Sequence, residues 1–266
     1  MEQSYSAAVY DAITYMHAHL HEPLDLTGLA AQAAYSPYHF SRLFKKSVGV
    51  PPLYYLSGLR LQRAKELLIE TTFPVRDIGM EIGQQSVGTF TTSFAARVGM
   101  TPGAFRVSAA SAENSFSSLK TTRHWAEPAL PTVETSIQGR IYSEVPFEGF
   151  VLIGLFPRPM PEGVPLYGTL CDTADEYHIP RVKPGVYYVM ATSIAWKMKV
   201  NDILIPHHTF RTRSREALHV EAGRPLEKKD IYLYPPRFDD PPILVSLSLL
   251  MNNFLRRQAE TAIGKK

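Results

Sequence analysis

The spacing of apolar residues changes period partway along this 266-residue chain, and no other feature limits its fold as much. Up to about Val107, apolar residues recur at steps of three and four: Val9, Ile13, Met16 and Leu20, then Phe40, Leu43, Phe44 and Val48, then Leu56, Leu59, Ala64, Leu67 and Leu68. That is the period of helices buried on one face. Ser36-Pro37 and Thr101-Pro102 each offer an N-cap oxygen followed by a residue whose φ is already helical, and Ser86 is a further N-cap. Gly49, Gly83 and Gly99 stand where helices should stop. From Thr132 the pattern shifts to short runs rich in Val, Ile, Tyr and Phe between Pro and Gly breaks: Ile137 to Tyr142, Phe150 to Phe156, Leu166 to Leu170, Val186 to Ile194 and Ile231 to Tyr234. The expectation is an α+β chain of two domains. Residues 1–107 form an all-α domain of about seven helices. Residues 132–266 form a β-rich domain, an antiparallel sandwich or barrel, closed by a helix over Ile243 to Ile263. Between them, 108–131 is rich in Ser, Ala and Thr and reads as a linker, with Trp125 near its end packing onto the second domain.

Composition removes several classes of function. Cys171 is the single cysteine, which excludes an internal disulfide framework and a cysteine-built zinc site. His207, His208 and His219 lack the carboxylate or cysteine spacing of a metal set. No G-x-S-x-G, P-loop or H-E-x-x-H pattern occurs, so neither an enzyme nor a cofactor is expected. The N-terminus has no basic start followed by an apolar core, and no apolar run approaches the roughly 18 residues needed to span a bilayer. A cytoplasmic protein with no membrane partner fits.

Two segments carry the layout of a helix-turn-helix, in which a short helix and a tight turn set a second helix where its polar face can enter a major groove. In the first, Leu26, Leu29, Ala30 and Ala33 bury the leading helix, Tyr35-Ser36 turns, and the helix from Pro37 buries Phe40, Leu43 and Phe44. Tyr38, Ser41, Arg42, Lys45 and Lys46 are left outside. The planar fork of Arg42 suits a guanine edge, with Tyr38 and Ser41 beside it as further base readers. Lys45 and Lys46 suit phosphates, which position without reading sequence. The second segment, Val75 to Val98, repeats the pattern with Val75, Ile78 and Ile82, a stop at Gly83, and Phe90 and Phe94 four apart as Phe40 and Phe44 are. Its outward residues, Val87, Gly88, Thr91, Thr92 and Ala95, are small and uncharged. Between the two runs a long helix, Pro52 to Ile69, along which Arg60, Arg63 and Lys65 are spaced. Up to Val107 nine cations face eight anions, a net of +1, so nucleic-acid binding requires segregation of charge between faces.

From Leu26 to Arg106 the chain resembles the AraC/XylS DNA-binding domain. The resemblance rests on SPYHFSRLFK from Ser36, on Arg60-Leu61 with Ala64 and Leu67-Leu68, and on Gly99-Met100-Thr101-Pro102 with Phe105-Arg106. It implies two helix-turn-helix units on one long helix, entering successive major-groove segments of double-stranded DNA, with RNA polymerase as a partner. By position it assigns base reading to Tyr38, Ser41 and Arg42 in the first unit, and to Val87, Gly88, Thr91 and Thr92 in the second. Phosphate contacts fall to Lys45, Lys46, Arg97 and the helix start at Ser86. The second unit departs from the family pattern: Gln84 follows Gly83 where an aromatic is usual, and basic residues near Thr92 and Ala95 are missing. The first unit is therefore expected to carry most of the discrimination, with Gln84 and Gln85 as further candidates for base contact.

Family members usually carry this domain at the C-terminus, whereas here it comes first. The β-rich region behind it loosely resembles prealbumin-like sandwich modules, with a GyrI-like effector domain as the alternative. Phe156, Tyr187, Tyr188 and Trp196 are candidates for an effector pocket. Arg211, Arg213 and Arg215 alternate, as on one face of a strand. The stripe Leu244, Leu247, Met251 and Phe254 of the last helix can pack on the sandwich or pair two chains in a homodimer. Three functions compete: a transcription regulator controlled by a small-molecule effector or by dimerisation through the β-rich domain, an alkyl-transfer repair enzyme targeted by the same DNA domain, and a DNA-binding adaptor that recruits a protein partner.

Overall fold

The computed structural model of the chain describes residues 7–84, 86–122, 135–172, 176–221 and 228–263. Trp125 and Gln85 lie outside these. Helices over the described residues up to Arg106 are α1 (Ala7–Ala18), α2 (Leu26–Gln32), α3 (Pro37–Val48), α4 (Pro52–Glu70), α5 (Val75–Glu81), α6 (Val87–Val98) and α7 (Pro102–Arg106). Their ends are where the local chemistry put them. Asp25 caps α2 by accepting from the Gly28 amide at 2.7 Å. Ser36 and Ser86 cap α3 and α6, each accepting from the amide three residues on at 3.4 Å. Gly49 and Gly99 end the same helices in the left-handed region, at φ 89° and 92°.

Helix α4 is buried around more than one face: Tyr55, Leu56, Leu59, Leu61, Ala64, Leu67 and Leu68 are all covered. It packs against α3 on one side of the sequence and α5 and α7 on the other, so it forms the spine of this unit. Arg237–Leu244, from far along the chain, also belongs to this unit. Phe238 stacks on Tyr10 with ring centres 4.4 Å apart, and the Tyr55 hydroxyl donates to the Phe238 carbonyl at 3.5 Å.

A second compact unit contains the described residues of Val107–Pro236 and Val245–Lys266. Part of the expected linker is a helix of this unit, α8 (Ala109–Thr121). Its Ala112, Phe116 and Leu119 recur at helical spacing and are buried, which explains why the segment orders despite its Ser and Ala content. The strands are β1 (Ile137–Ser143), β2 (Gly149–Phe156), β3 (Tyr167–Asp172), β4 (Glu176–Ile179), β5 (Gly185–Ala195), β6 (Arg211–Arg213), β7 (Leu218–Val220) and β8 (Ile231–Leu233). The remaining helices are α9 (Val200–Leu204) and α10 (Leu247–Ile263). One sheet runs β3-β2-β5-β6, with β7 also on β5, and the other runs β4-β1-β8. All these pairs are antiparallel except β1 with β8, where Ile141 to Ser143 run parallel to Ile231 to Leu233.

Alternate residues of both sheets form one core. Val151, Ile153 and Leu155 of β2 and Tyr187, Val189 and Ala191 of β5 meet Ile137 and Ile141 of β1, Tyr177 of β4 and Leu233 of β8. The intervening residues of β2 are buried too. They face a helical layer: Phe150 packs on Trp196 at 5.2 Å, and Trp196 on Phe116 of α8 at 5.8 Å. Leu247, Met251 and Phe254 of α10 are buried in the same unit, so the apolar stripe offered to a second chain is already covered. Leu244 stands apart from that stripe, ahead of the helix and in the first unit, because the helix starts at Leu247 rather than near Ile243.

Candidate nucleic-acid interface

The two helix pairs, α2–α3 and α5–α6, are built by the same device. Tyr35 donates to the Ala30 carbonyl at 2.9 Å, and Gln84 to the Gly79 carbonyl at 2.9 Å. Both bonds span five residues and close the end of the leading helix. The residue between helix and bond, Ala34 or Gly83, takes a left-handed φ of 57° or 76°. Phe40 and Phe44 then bury α3, with rings 5.8 Å apart, and Phe90 and Phe94 bury α6 at the same separation. Each following helix is thereby fixed with one face inward and the other free.

The free face of α3 is basic and aromatic. Tyr38 is 73 % exposed, Arg42, Lys45 and Lys46 are exposed, and Ser41 is half-buried. Arg42 Nη1 donates to the Tyr38 hydroxyl at 3.4 Å, and its guanidinium carbon lies 5.6 Å from the Tyr38 ring centre. This pairing holds the guanidinium fork along the helix surface with donors to spare. Lys45 and Lys46 make no ion pair among the described residues and sit in the last turn, where cations complement the helix dipole. The free face of α6 is different in kind. Val87 is 41 % exposed, Gly88 and Thr92 are exposed, and Thr91 is half-buried; none carries charge. Ser86 stands exposed at the helix start.

Four cations of this unit are not where a surface reading puts them. Arg97 is 9 % exposed, donates to the Ser57 hydroxyl at 2.5 Å, and lies over the Tyr54 ring at 4.7 Å. It ties α6 to α4, and that packing position takes the place of the expected phosphate contact. Arg60 donates to the carbonyls of Leu20 and Glu22, and Arg106 to those of Leu68 and Phe73. Lys65 is fully buried. Arg63 pairs with Glu66 at 2.9 Å. The weak net charge of the sequence thus conceals a segregation: several cations are spent inside, and α3 keeps an exposed basic cluster. Arg76, exposed near the start of α5, is a further cation that no motif singled out.

The aromatic residues expected to form one effector pocket do not converge. Tyr187 lies in the core between the sheets, its hydroxyl donating to the Lys183 carbonyl at 2.8 Å. Phe156 and Tyr188 are cross-strand partners at one end of the β2–β5 ladder, and Trp196 lies just past its other end, where Gly149 pairs with Ala195. Arg211 is buried, donating to the carbonyls of Pro206, His207 and Thr209, so it stabilises a loop rather than facing a ligand. Cys171 is half-buried against the sandwich core. Among the described residues no group of histidines, cysteines and carboxylates suits a metal ion, and no helix is long and apolar enough to cross a membrane.

A family model described as "Helix-turn-helix domain" matches residues 29–108. An uncharacterized HTH-type transcriptional regulator of Bacillus subtilis, YobQ, is 36 % identical over 97 residues, which is 36 % of this chain and 40 % of that protein. The right origin-binding protein of Escherichia coli K12 is 33 % identical over 98 residues, 37 % of this chain and 34 % of its own length. The chain thus spans less than half the length of these relatives. Among solved structures, a transcriptional regulator with an AraC-type DNA-binding domain from Chromobacterium violaceum shares 30 % identity over 38 % of this chain and 91 % of that one, at a TM-score of 0.37. The family match falls on the two capped helix pairs described above, and it makes residues 29–108 of this chain a helix-turn-helix domain, similar in sequence to the AraC-type domain of that regulator.

Proposed function

We propose that the chain is a sequence-specific double-stranded-DNA-binding transcription regulator in which α3 does most of the reading. The observation that carries this is the exposed cluster of Tyr38, Arg42, Lys45 and Lys46 on a helix whose opposite face is anchored by Phe40, Phe44 and Val48. Arg42, set by Tyr38, donates two hydrogen bonds to a guanine edge, worth about 1–3 kcal/mol of discrimination. Tyr38 and Ser41 flank it. Lys45 and Lys46 hold phosphates on either side. On α6, the amides at the Ser86 cap receive a phosphate, while Val87, Thr91 and Thr92 offer methyl groups to thymine and Gly88 permits close approach. Arg97 takes no part.

The names of the relatives, a transcriptional regulator and an origin-binding protein, support DNA as the partner. In this reading the second unit receives a small-molecule effector, RNA polymerase is the downstream partner, and the protein works in the cytoplasm without catalysis. Another relative, AdaA of Bacillus subtilis, is named as both an activator and a DNA repair enzyme. Cys171, the single thiol of this chain, occupies a packing position on β3, which favours regulation over alkyl transfer.

Selection of bound duplexes from a random library tests the reading. The full chain should enrich one motif, and Arg42→Ala should lose preference at one or two positions of that motif while retaining weak general binding. Failure of the full chain to enrich any sequence at low ionic strength would overturn it.

A further inference from the structure

In the second unit, β3 is the edge strand of the larger sheet, and α10 runs beside its helix-facing side. The two do not close completely. A cleft of about 200 Å³ remains, floored by Leu152, Leu170 and Phe254 and walled by Leu250. Its mouth is apolar and uncovered: Leu166 is 58 % exposed and Val164 49 % exposed. Isolated exposed side chains of this kind are ordinary, but two at the lip of an apolar hollow leave a surface that a ligand would cover.

Charge gives the cleft a direction. Arg256 and Arg257 are exposed on α10 and line it, and no acidic side chain does so among the described residues. Arg257 Nη2 donates to the Gly168 carbonyl at 3.3 Å, so that guanidinium pins the helix to the strand. Arg256 has no such tie and remains available at the rim. Glu260 follows one turn later on the same helix, outside the lining, so the field at the mouth is positive and local.

We propose that this cleft binds a small carboxylic acid with an apolar body, aromatic or branched, whose carboxylate is held by Arg256. At the packing density of protein interiors the space accommodates an acid of roughly ten non-hydrogen atoms, smaller than a drug-sized ligand. The body replaces water against Leu152, Leu170 and Phe254, and the guanidinium fork takes the carboxylate in a charge-assisted pair. The regulatory consequence rests on the reading of the second unit as an effector unit, whereas the site itself stands on its own geometry.

Benzoate is the probe, with benzamide and acetate as controls, titrated into the full chain and followed by ligand-observed NMR. Benzoate should bind with a Kd of the order of 1 mM, as its size allows, and both controls at least about tenfold more weakly. Arg256→Gln should bring benzoate down to the level of benzamide. Leu250→Trp, which fills the cleft, should abolish binding while leaving the far-UV spectrum unchanged. Benzoate binding no better than acetate, or undiminished in Arg256→Gln, would overturn the site. A separate arm measures affinity for the selected duplex with and without saturating benzoate. Binding of benzoate without any change in DNA affinity upholds the site and removes the effector role from the regulatory reading.

Discussion

Lys65 Nζ, fully buried on α4, donates a 2.9 Å hydrogen bond to the backbone carbonyl of Ile243, 178 residues further along the chain. The spine of the helical unit is therefore clasped by a segment from the far end of the sequence. Phe105 stands on another side of the ammonium, 5.6 Å from it. Neither group neutralises a charge, and burial pushes the Lys65 ammonium down from 10.5 to about 7, with Glu66 opposing part of the shift.

This shift has a signature in stability. Below pH 7 the amine is charged in both states, and the folded state bears the full penalty of burying it. Between pH 7 and about 10.5 the unfolded chain binds more protons than the folded one, so stability climbs with pH, by up to about 1.4 kcal/mol per pH unit. Urea unfolding followed by far-UV circular dichroism should show the midpoint rising from pH 7 to pH 9.5. Lys65→Met should flatten that rise, because it removes the titrating group while filling a similar volume. A slope identical in the two proteins would mean that Lys65 titrates normally.

The clasp was not legible in the sequence, and the reason is physical. Arg237 to Leu244 reads Arg-Phe-Asp-Asp-Pro-Pro-Ile-Leu, which has no periodicity; beside the stacking of Phe238 on Tyr10, it accepts from Tyr55 and Lys65 through backbone carbonyls that every residue possesses. Helix caps were legible because Ser36, Ser86, Gly49 and Gly99 act on amides and carbonyls within their own turn. The exposed face of α3 was legible for the same reason, since Phe40 and Phe44 determine locally which side is left out. Arg97 misled, and Arg60, Lys65 and Arg106 gave no sign of their burial, because a cation on a helix suggests solvent, while the groups that receive them lie more than 30 residues away. One signal was present. Leu56, Leu59, Leu61, Ala64, Leu67 and Leu68 cover too many faces of α4 for a helix with a wet side. In the second unit the short strands β4 and β7 carry polar residues and gain their order from neighbouring strands, so local alternation could not find them.

The equivalent turns of the two helix pairs make opposite demands on one methyl group. Ala34 already holds a left-handed φ of 57°, a conformation that disfavours a Cβ. Ala34→Gly relieves that strain at the cost of a more flexible unfolded chain, so it should stabilise the protein by about 0.5–1 kcal/mol. Gly83 holds φ 76°, and a methyl there would lie 2.8 Å from the His21 carbonyl oxygen. Gly83→Ala should therefore destabilise by more than about 1–2 kcal/mol, since steric conflict adds to strain. Thermal unfolding of the two single variants checks both signs. Equal shifts would show that the turns are not built alike.

Recognition and phosphate contact should separate by the way each responds to salt. Each lysine that neutralises a phosphate contributes close to one counterion to the slope of log affinity against log salt. Lys45→Ala and Lys46→Ala should each lower that slope by about 0.9 and weaken all sequences alike. Arg42→Ala should instead cost about 1–3 kcal/mol on the selected duplex and little on random DNA.

Arg97 provides the contrast that makes the series decisive. Its guanidinium is held by Ser57 and Tyr54 inside the helical unit. Arg97→Gln should destabilise folding by about 1–3 kcal/mol, because it breaks a charged hydrogen bond and leaves the Ser57 hydroxyl without that donor. Measured well below its melting temperature, the variant should keep the parental salt slope. Fluorescence anisotropy on labelled duplex between 50 and 200 mM salt, paired with thermal unfolding, distinguishes the two roles. A slope that falls by one at Arg97 and not at Lys45 or Lys46 would move the phosphate contact from α3 to α6, and with it the assignment of the leading recognition helix.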